Sequence, residues 1–198
     1  MKKFGLMAMA ALMMVACQEK NAYTISGTLE SAGENDSVSL QLVEERRLVD
    51  LQKVPVVNGK FVFKGVADSV QLAAVTIGDA FCQLFLEPGQ ITVDLKANQM
   101  AYALGTPNNN AYEAFMSDMK ALEDEYAEIA KNAQNPELSD VEIAEIKKQM
   151  GEFEEKYYQA MKNSIADNAG TYFGLNNLTN SYYLYSPEEL APVLDTYI

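Results

Sequence analysis

The chain has no histidine, no tryptophan and only two cysteines among its 198 residues. Without His it lacks the side chain that most often serves as general base or transition-metal ligand near neutral pH. Basic residues are also scarce, 15 against 28 acidic ones, for a net charge of −13. Nucleic-acid binding draws on clustered Lys and Arg that release counterions, so no nucleic-acid partner is expected. The one Arg pair, Arg46-Arg47, directly follows Glu44-Glu45 and is locally neutralised. There is no G-x-G-x-x-G, P-loop, G-x-S-x-G, C-x-x-C or H-E-x-x-H. No cofactor, no metal site and no catalysis by this chain itself are therefore expected. What is present is enough apolar material for a core, 48% of residues, in a length suited to one ordinary domain or two small ones.

The N-terminus reads as an address. Lys2 and Lys3 precede the uncharged stretch from Phe4 to Ala16, which has the basic n-region and apolar h-region of a signal peptide. Thirteen residues in a helix would span only about 20 Å, short of the roughly 30 Å hydrocarbon core. Met14-Val15-Ala16-Cys17, followed by the polar run Gln18 to Asn21, resembles a bacterial lipobox. That resemblance implies cleavage after residue 16 and acylation of Cys17, with residues 17–22 as a tether. It also implies a location in the bacterial cell envelope, lipid-anchored at the outer membrane, with the periplasmic or surface face left open. Several acyl chains hold far more firmly than one. The acidic body is repelled by anionic headgroups, which leaves the lipid as the membrane contact. The other reading is an ordinary secretory peptide with a chance Cys.

The body divides into a β half, 23–105, and a helical half, 106–198. Tyr23 to Leu29 and Val38 to Leu42 alternate apolar and polar; a weaker strand runs near Leu48 to Val57. Asn58-Gly59 between Val56-Val57 and Phe61 to Phe63 is a hairpin signal. Leu72 to Ile77, Phe81 to Glu87 and Ile91 to Leu95 complete six or seven short strands, an antiparallel β-sandwich or open barrel. After Gly105 to Asn110, whose asparagines suit a helix cap, Tyr112, Phe115, Met119, Leu122, Tyr126 and Ile129 form a heptad-like stripe. Ser139-Asp140-Val141-Glu142 is a capping box opening a second helix, striped by Ile143, Ile146, Met150, Phe153, Tyr157 and Met161. The two should pack as an antiparallel hairpin, giving an α+β fold. Gly151 is either a weak point in the second helix or a point of close approach. A short helical segment from Thr171 to Leu178 and a last helix opened by Ser186-Pro187-Glu188-Glu189 follow. That helix stops at Ile198 without a stop signal, and truncation before a C-terminal domain is the expectation.

Few residues invite a chemical reading. Cys82 lies on the face of Leu84 and Leu86 with no basic neighbour, as a buried small hydrophobe rather than a reactive thiol. The clusters Glu123-Asp124-Glu125 and Glu152, Glu154-Glu155 fall largely off the apolar stripes, as a solvated face does; Glu34-Asn35-Asp36 only weakly resembles a cation loop. Tyr182, Tyr183 and Tyr185 could stack on a glycan or a partner protein, or pack between elements.

The lipobox, Tyr23 to Thr28, the block Asn58-Gly59-Lys60-Phe61-Val62-Phe63-Lys64-Gly65, Phe85 to Val93 and Gly105 to Asn109 together resemble an uncharacterised N-terminal domain of bacterial lipoproteins. The resemblance runs from Tyr23 to the final helix. In that family the domain commonly precedes a thioredoxin-like domain of the thiol-disulfide oxidoreductase, peroxiredoxin-related type. It implies a partner of that kind, in cis or in trans, whose redox motif this sequence lacks. The expected role is a non-catalytic tether and docking module for a thioredoxin-like oxidoreductase. The alternatives are a stand-alone envelope lipoprotein that binds a peptide or glycan, and an enzyme built on Asp or Glu alone.

Overall fold

A computed structural model describes residues 20–197 except 31–32, 34–35 and 97–100. The leader, Cys17, Glu34, Asn35 and Ile198 lie outside the described residues. The strands are β1 (Ala22–Leu29), β2 (Ser37–Glu44), β3 (Arg47–Pro55), β4 (Lys60–Val66), β5 (Gln71–Ile77), β6 (Ala80–Leu86), β7 (Gly89–Leu95) and β8 (Ala103–Leu104). The helices are α1 (Pro107–Ala133), α2 (Asp140–Asp167), α3 (Tyr172–Ser181) and α4 (Pro187–Leu194). This is the α+β order of strands then helices.

The strands form two separate sheets, β4-β1-β7-β8 and β3-β2-β5-β6, so the arrangement is a sandwich rather than a barrel. Among the described residues all strand pairings but one are antiparallel; β1 and β7 run parallel, with Ile25 opposite Ile91. The intervening strands cross to the other sheet and back, which a simple meander would not require. Alternate residues point inward. Ile25, Phe63, Ile91 and Val93 from one sheet meet Val38, Leu40, Val75 and Leu84 from the other in a single buried cluster.

Two local choices shape this core. The Asn58-Gly59 hairpin has both residues in the left-handed region, φ 52° and 69°, as the turn matched to strand twist requires. Gly27 lies across from Phe61 in the β1–β4 register, and a side chain there would collide with the Phe61 ring. The ring thus covers a bare stretch of backbone, a cross-strand pairing of glycine with an aromatic.

α1 and α2 lie side by side as a hairpin. Tyr126 meets Phe153 at 5.3 Å between ring centres, and Lys156 Nζ donates to Glu125 at 2.6 Å. At 27 and 28 residues, each helix is about 40 Å long. The expected capping boxes are present. Ser139 N donates to Glu142 Oε2 at 2.8 Å, and Ser186 N donates to Glu189 Oε2 at 2.9 Å. The Ser139 hydroxyl, and then its backbone N–H, hold the Glu142 carboxyl below its usual range. Among the described residues no helix is long and apolar enough to cross a membrane.

Gly151 faces open space, with nothing within 4 Å of where a Cβ would stand. It is a weak point and not a close approach. Gly151→Ala is expected to stabilise the chain by about 1 kcal/mol, read as a raised urea midpoint with an unchanged denaturant slope.

Candidate functional site

The helices meet the sandwich at one end through a buried polar junction. β6 is an edge strand, so one row of its peptide groups lacks a strand partner. Asn109, at the start of α1, supplies one. Its side-chain Oδ1 accepts from Phe85 N at 2.9 Å, and Nδ2 donates to Phe85 O at 2.8 Å and Thr106 Oγ1 at 2.7 Å. The carboxamide thus imitates a neighbouring strand's peptide.

Beside it, Glu87 is only 5% exposed. It accepts from Asn108 N at 3.0 Å and from Asn108 Nδ2 at 2.6 Å, placing a carboxylate at the positive end of α1. Asn108 Oδ1 accepts from Phe173 N at 2.8 Å, which ties α3 to the same point. Around these bonds Phe85, Tyr112, Phe115, Tyr172 and Phe173 form a cluster, with Phe173 5.9 Å from Phe85 and 5.8 Å from Phe115. The buried side-chain polar atoms of Glu87, Thr106, Asn108 and Asn109 are all partnered, as in a junction that holds elements together.

Farther along the hairpin the packing is incomplete. The stripe of α1 is only partly covered: Met119 and Ile129 are buried, but Tyr126 remains 46% exposed. α3 reaches only the base of the hairpin, and beyond it the facing seams of α1 and α2 open into a groove of about 580 Å³. Phe115, Met116, Met119, Leu122, Tyr126, Phe153, Tyr157 and Met161 line it, with Asn177, Asn180 and Ser181 of α3 at one end and Glu123 on its rim. Its lining is predominantly apolar. Heptad spacing reveals such a stripe but not which part of it goes uncovered.

The tyrosines singled out from the sequence differ in exposure. Tyr182 and Tyr183 are 60% and 68% exposed and contact each other edge to face at 6.3 Å. Tyr185 is half-buried, its ring capped by Lys162 Nζ at 4.9 Å, a cation–π contact joining it to α2. Of the three, Tyr185 is therefore engaged in packing, and only the first two present rings to solvent.

Cys82 points into the sandwich core beside Leu84 and Leu86, and burial pushes its thiol up to about 12. In a Cys17→Ser background at pH 8, iodoacetamide is expected to leave the native chain unlabelled over hours and to modify Cys82 fully in denaturant. Labelling within minutes under native conditions would show that β6 opens readily. Among the described residues no group of three His, Cys, Asp or Glu side chains is placed to hold a metal ion.

Residues 23–112 match the family described as Domain of unknown function (DUF4369). The matched segment contains β2 to β8, all but the first residue of β1 and the first residues of α1, and so includes Glu87, Asn108 and Asn109, while the residues lining the groove all lie beyond it. No curated protein and no solved structure matches the chain.

Proposed function

We propose that this chain is a non-catalytic module of a bacterial envelope lipoprotein, anchored through acylated Cys17, that docks a thioredoxin-like thiol-disulfide oxidoreductase domain. The observation that carries the docking part is the groove between α1, α2 and α3. It is an apolar surface left open on two helices that the buried junction fixes to the sandwich. Rigid elements holding an exposed apolar concavity make a binding surface. The lipobox-like run ending at Cys17 supports the anchor, and the resemblance of the β half to the lipoprotein domain supports the oxidoreductase as partner.

A tethered module acts by concentration. Two linked binding partners meet at effective concentrations on the order of millimolar, without new contacts. The test is in cells: residues 23–198 are deleted while the leader and Cys17 are kept, and the redox state of envelope thiol clients is followed. The reading expects slower client reduction. Clients reduced just as fast without these residues would remove the docking role.

The groove also favours a second reading, a stand-alone lipoprotein that captures a peptide. It predicts a peptide retained through purification in the absence of any oxidoreductase.

A further inference from the structure

Two properties of the helical arm specify what kind of chain fits its groove. The first is the floor. Met116, Met119 and Met161 share it with Tyr126, Phe153 and Tyr157, and unbranched thioethers repack around differing apolar shapes. Two parallel seams of this kind suit a helix laid lengthwise, anchored by residues at i, i+3 or i+4, and i+7.

The second property is charge. α1 and α2 carry thirteen carboxylates and six lysines. Five of those lysines are already engaged, in the pairs Lys120–Asp124, Lys131–Glu128, Lys148–Glu152, Lys156–Glu125 and Lys162–Glu189. Nine arm carboxylates, Glu123 on the groove rim among them, have no ion-pair partner among the described residues. Two helices of net negative charge that carry an apolar cleft select a partner of the other sign and speed its arrival. A neutral acyl chain would leave this charge unused, and an anionic surface would be repelled by it.

We infer that the groove receives a cationic amphipathic α-helix of a protein partner, with its apolar side chains on the methionine and aromatic floor and its Lys or Arg side chains against Glu123 and the net negative charge of the two helices. This rests on the docking reading and names the chemistry of what docks.

The test uses the full chain with Cys17→Ser, free of detergent, and a fluorescent eighteen-residue Leu/Lys amphipathic helix as probe. A sequence-scrambled peptide of the same composition and a Leu/Glu counterpart are compared by anisotropy. Saturable binding of one Leu/Lys helix per chain is expected, weakening with added salt. The pair Glu123→Lys and Tyr157→Glu, both at exposed positions, should weaken it about tenfold. In the unmodified groove, the methyl resonances of Met116, Met119 and Met161 should shift on titration, a readout that needs no substitution. Equal binding of the scrambled or acidic peptide, unchanged affinity in the substituted chain, or unshifted methionine methyls would overturn the inference. Such a failure beside normal loss of client reduction on deleting residues 23–198 would leave docking in place with a partner of other chemistry. A failure of both would remove docking as well.

Discussion

Asn109→Ala is expected to lower the stability of the whole chain by about 3 kcal/mol, because it strands two buried peptide groups at once. Phe85 N and Phe85 O both lose their partner, and Thr106 Oγ1 loses the third bond. Water has no access to replace them at a site where Asn109 and Phe85 are fully buried. For a chain of this size the loss corresponds to roughly 10 °C in melting temperature. Asn109→Asp is the informative companion. Its carboxylate still accepts from Phe85 N but cannot donate to Phe85 O, so it should rescue little. Thermal melts of both variants check this, and an Asn109→Ala chain that melts with the parent would show that the β6 edge is not closed by this side chain.

Phe173→Ala is expected to act more locally and with comparable size, about 3–5 kcal/mol. The ring is fully buried and stands against Phe85, Tyr112 and Phe115, so truncation leaves a cavity at the one place where sandwich, α1 and α3 meet. A typical domain's whole net stability is roughly 5–15 kcal/mol, so this loss is a large fraction of it. The sandwich core lies on the other side of the β6 sheet and shares no side chain with this cluster. Amide hydrogen exchange should therefore show α3 and the base of the hairpin losing protection well before β1, β4 and β7. Uniform loss across both halves would mean that the two cores fold as one unit.

The parts of the fold that depend on neighbours in sequence were legible there. Asn58-Gly59, both Ser-x-x-Glu boxes and the stripes of α1 and α2 are local signals, and each element stands where its signal lies. Other features were not legible, for identifiable reasons. The β2–β3 turn is built from Glu45 and Arg46 at φ 48° and 64°, residues that carry no turn signature and are held left-handed by the pairing of the strands on either side. The parallel pairing of β1 with β7 joins segments that only the complete sandwich brings together. β8 is two residues long and exists only because β7 offers it a ladder.

The junction shows the same limit from the side of chemistry. Gly105 to Asn110 reads as a loop with capping asparagines, yet Asn108 and Asn109 spend their carboxamides on Glu87, Phe85 and Phe173, up to 65 residues away. Sequence spacing carries no trace of such bonds. The groove was half legible: the stripes supplied its apolar floor, but α3 covers only the base of the hairpin, and that coverage is a tertiary fact. Tyr182, Tyr183 and Tyr185 were grouped by adjacency alone, whereas the 3₁₀ turn at Tyr182–Leu184 sends Tyr185 against Lys162 and leaves its neighbours in solvent.

The account stands on the arm being a surface that holds an oxidoreductase partner. The most direct measurement places a photo-cross-linking amino acid at Tyr157, on the groove and 36% exposed, in living cells, with Val49 on the exposed edge strand β3 as the control position. Mass spectrometry then identifies what is joined after irradiation. The account predicts peptides of a thioredoxin-like domain, in cis or in trans, cross-linked from position 157 and not from position 49. Cross-links from position 157 that contain no such domain, or equal capture from both positions, would contradict it.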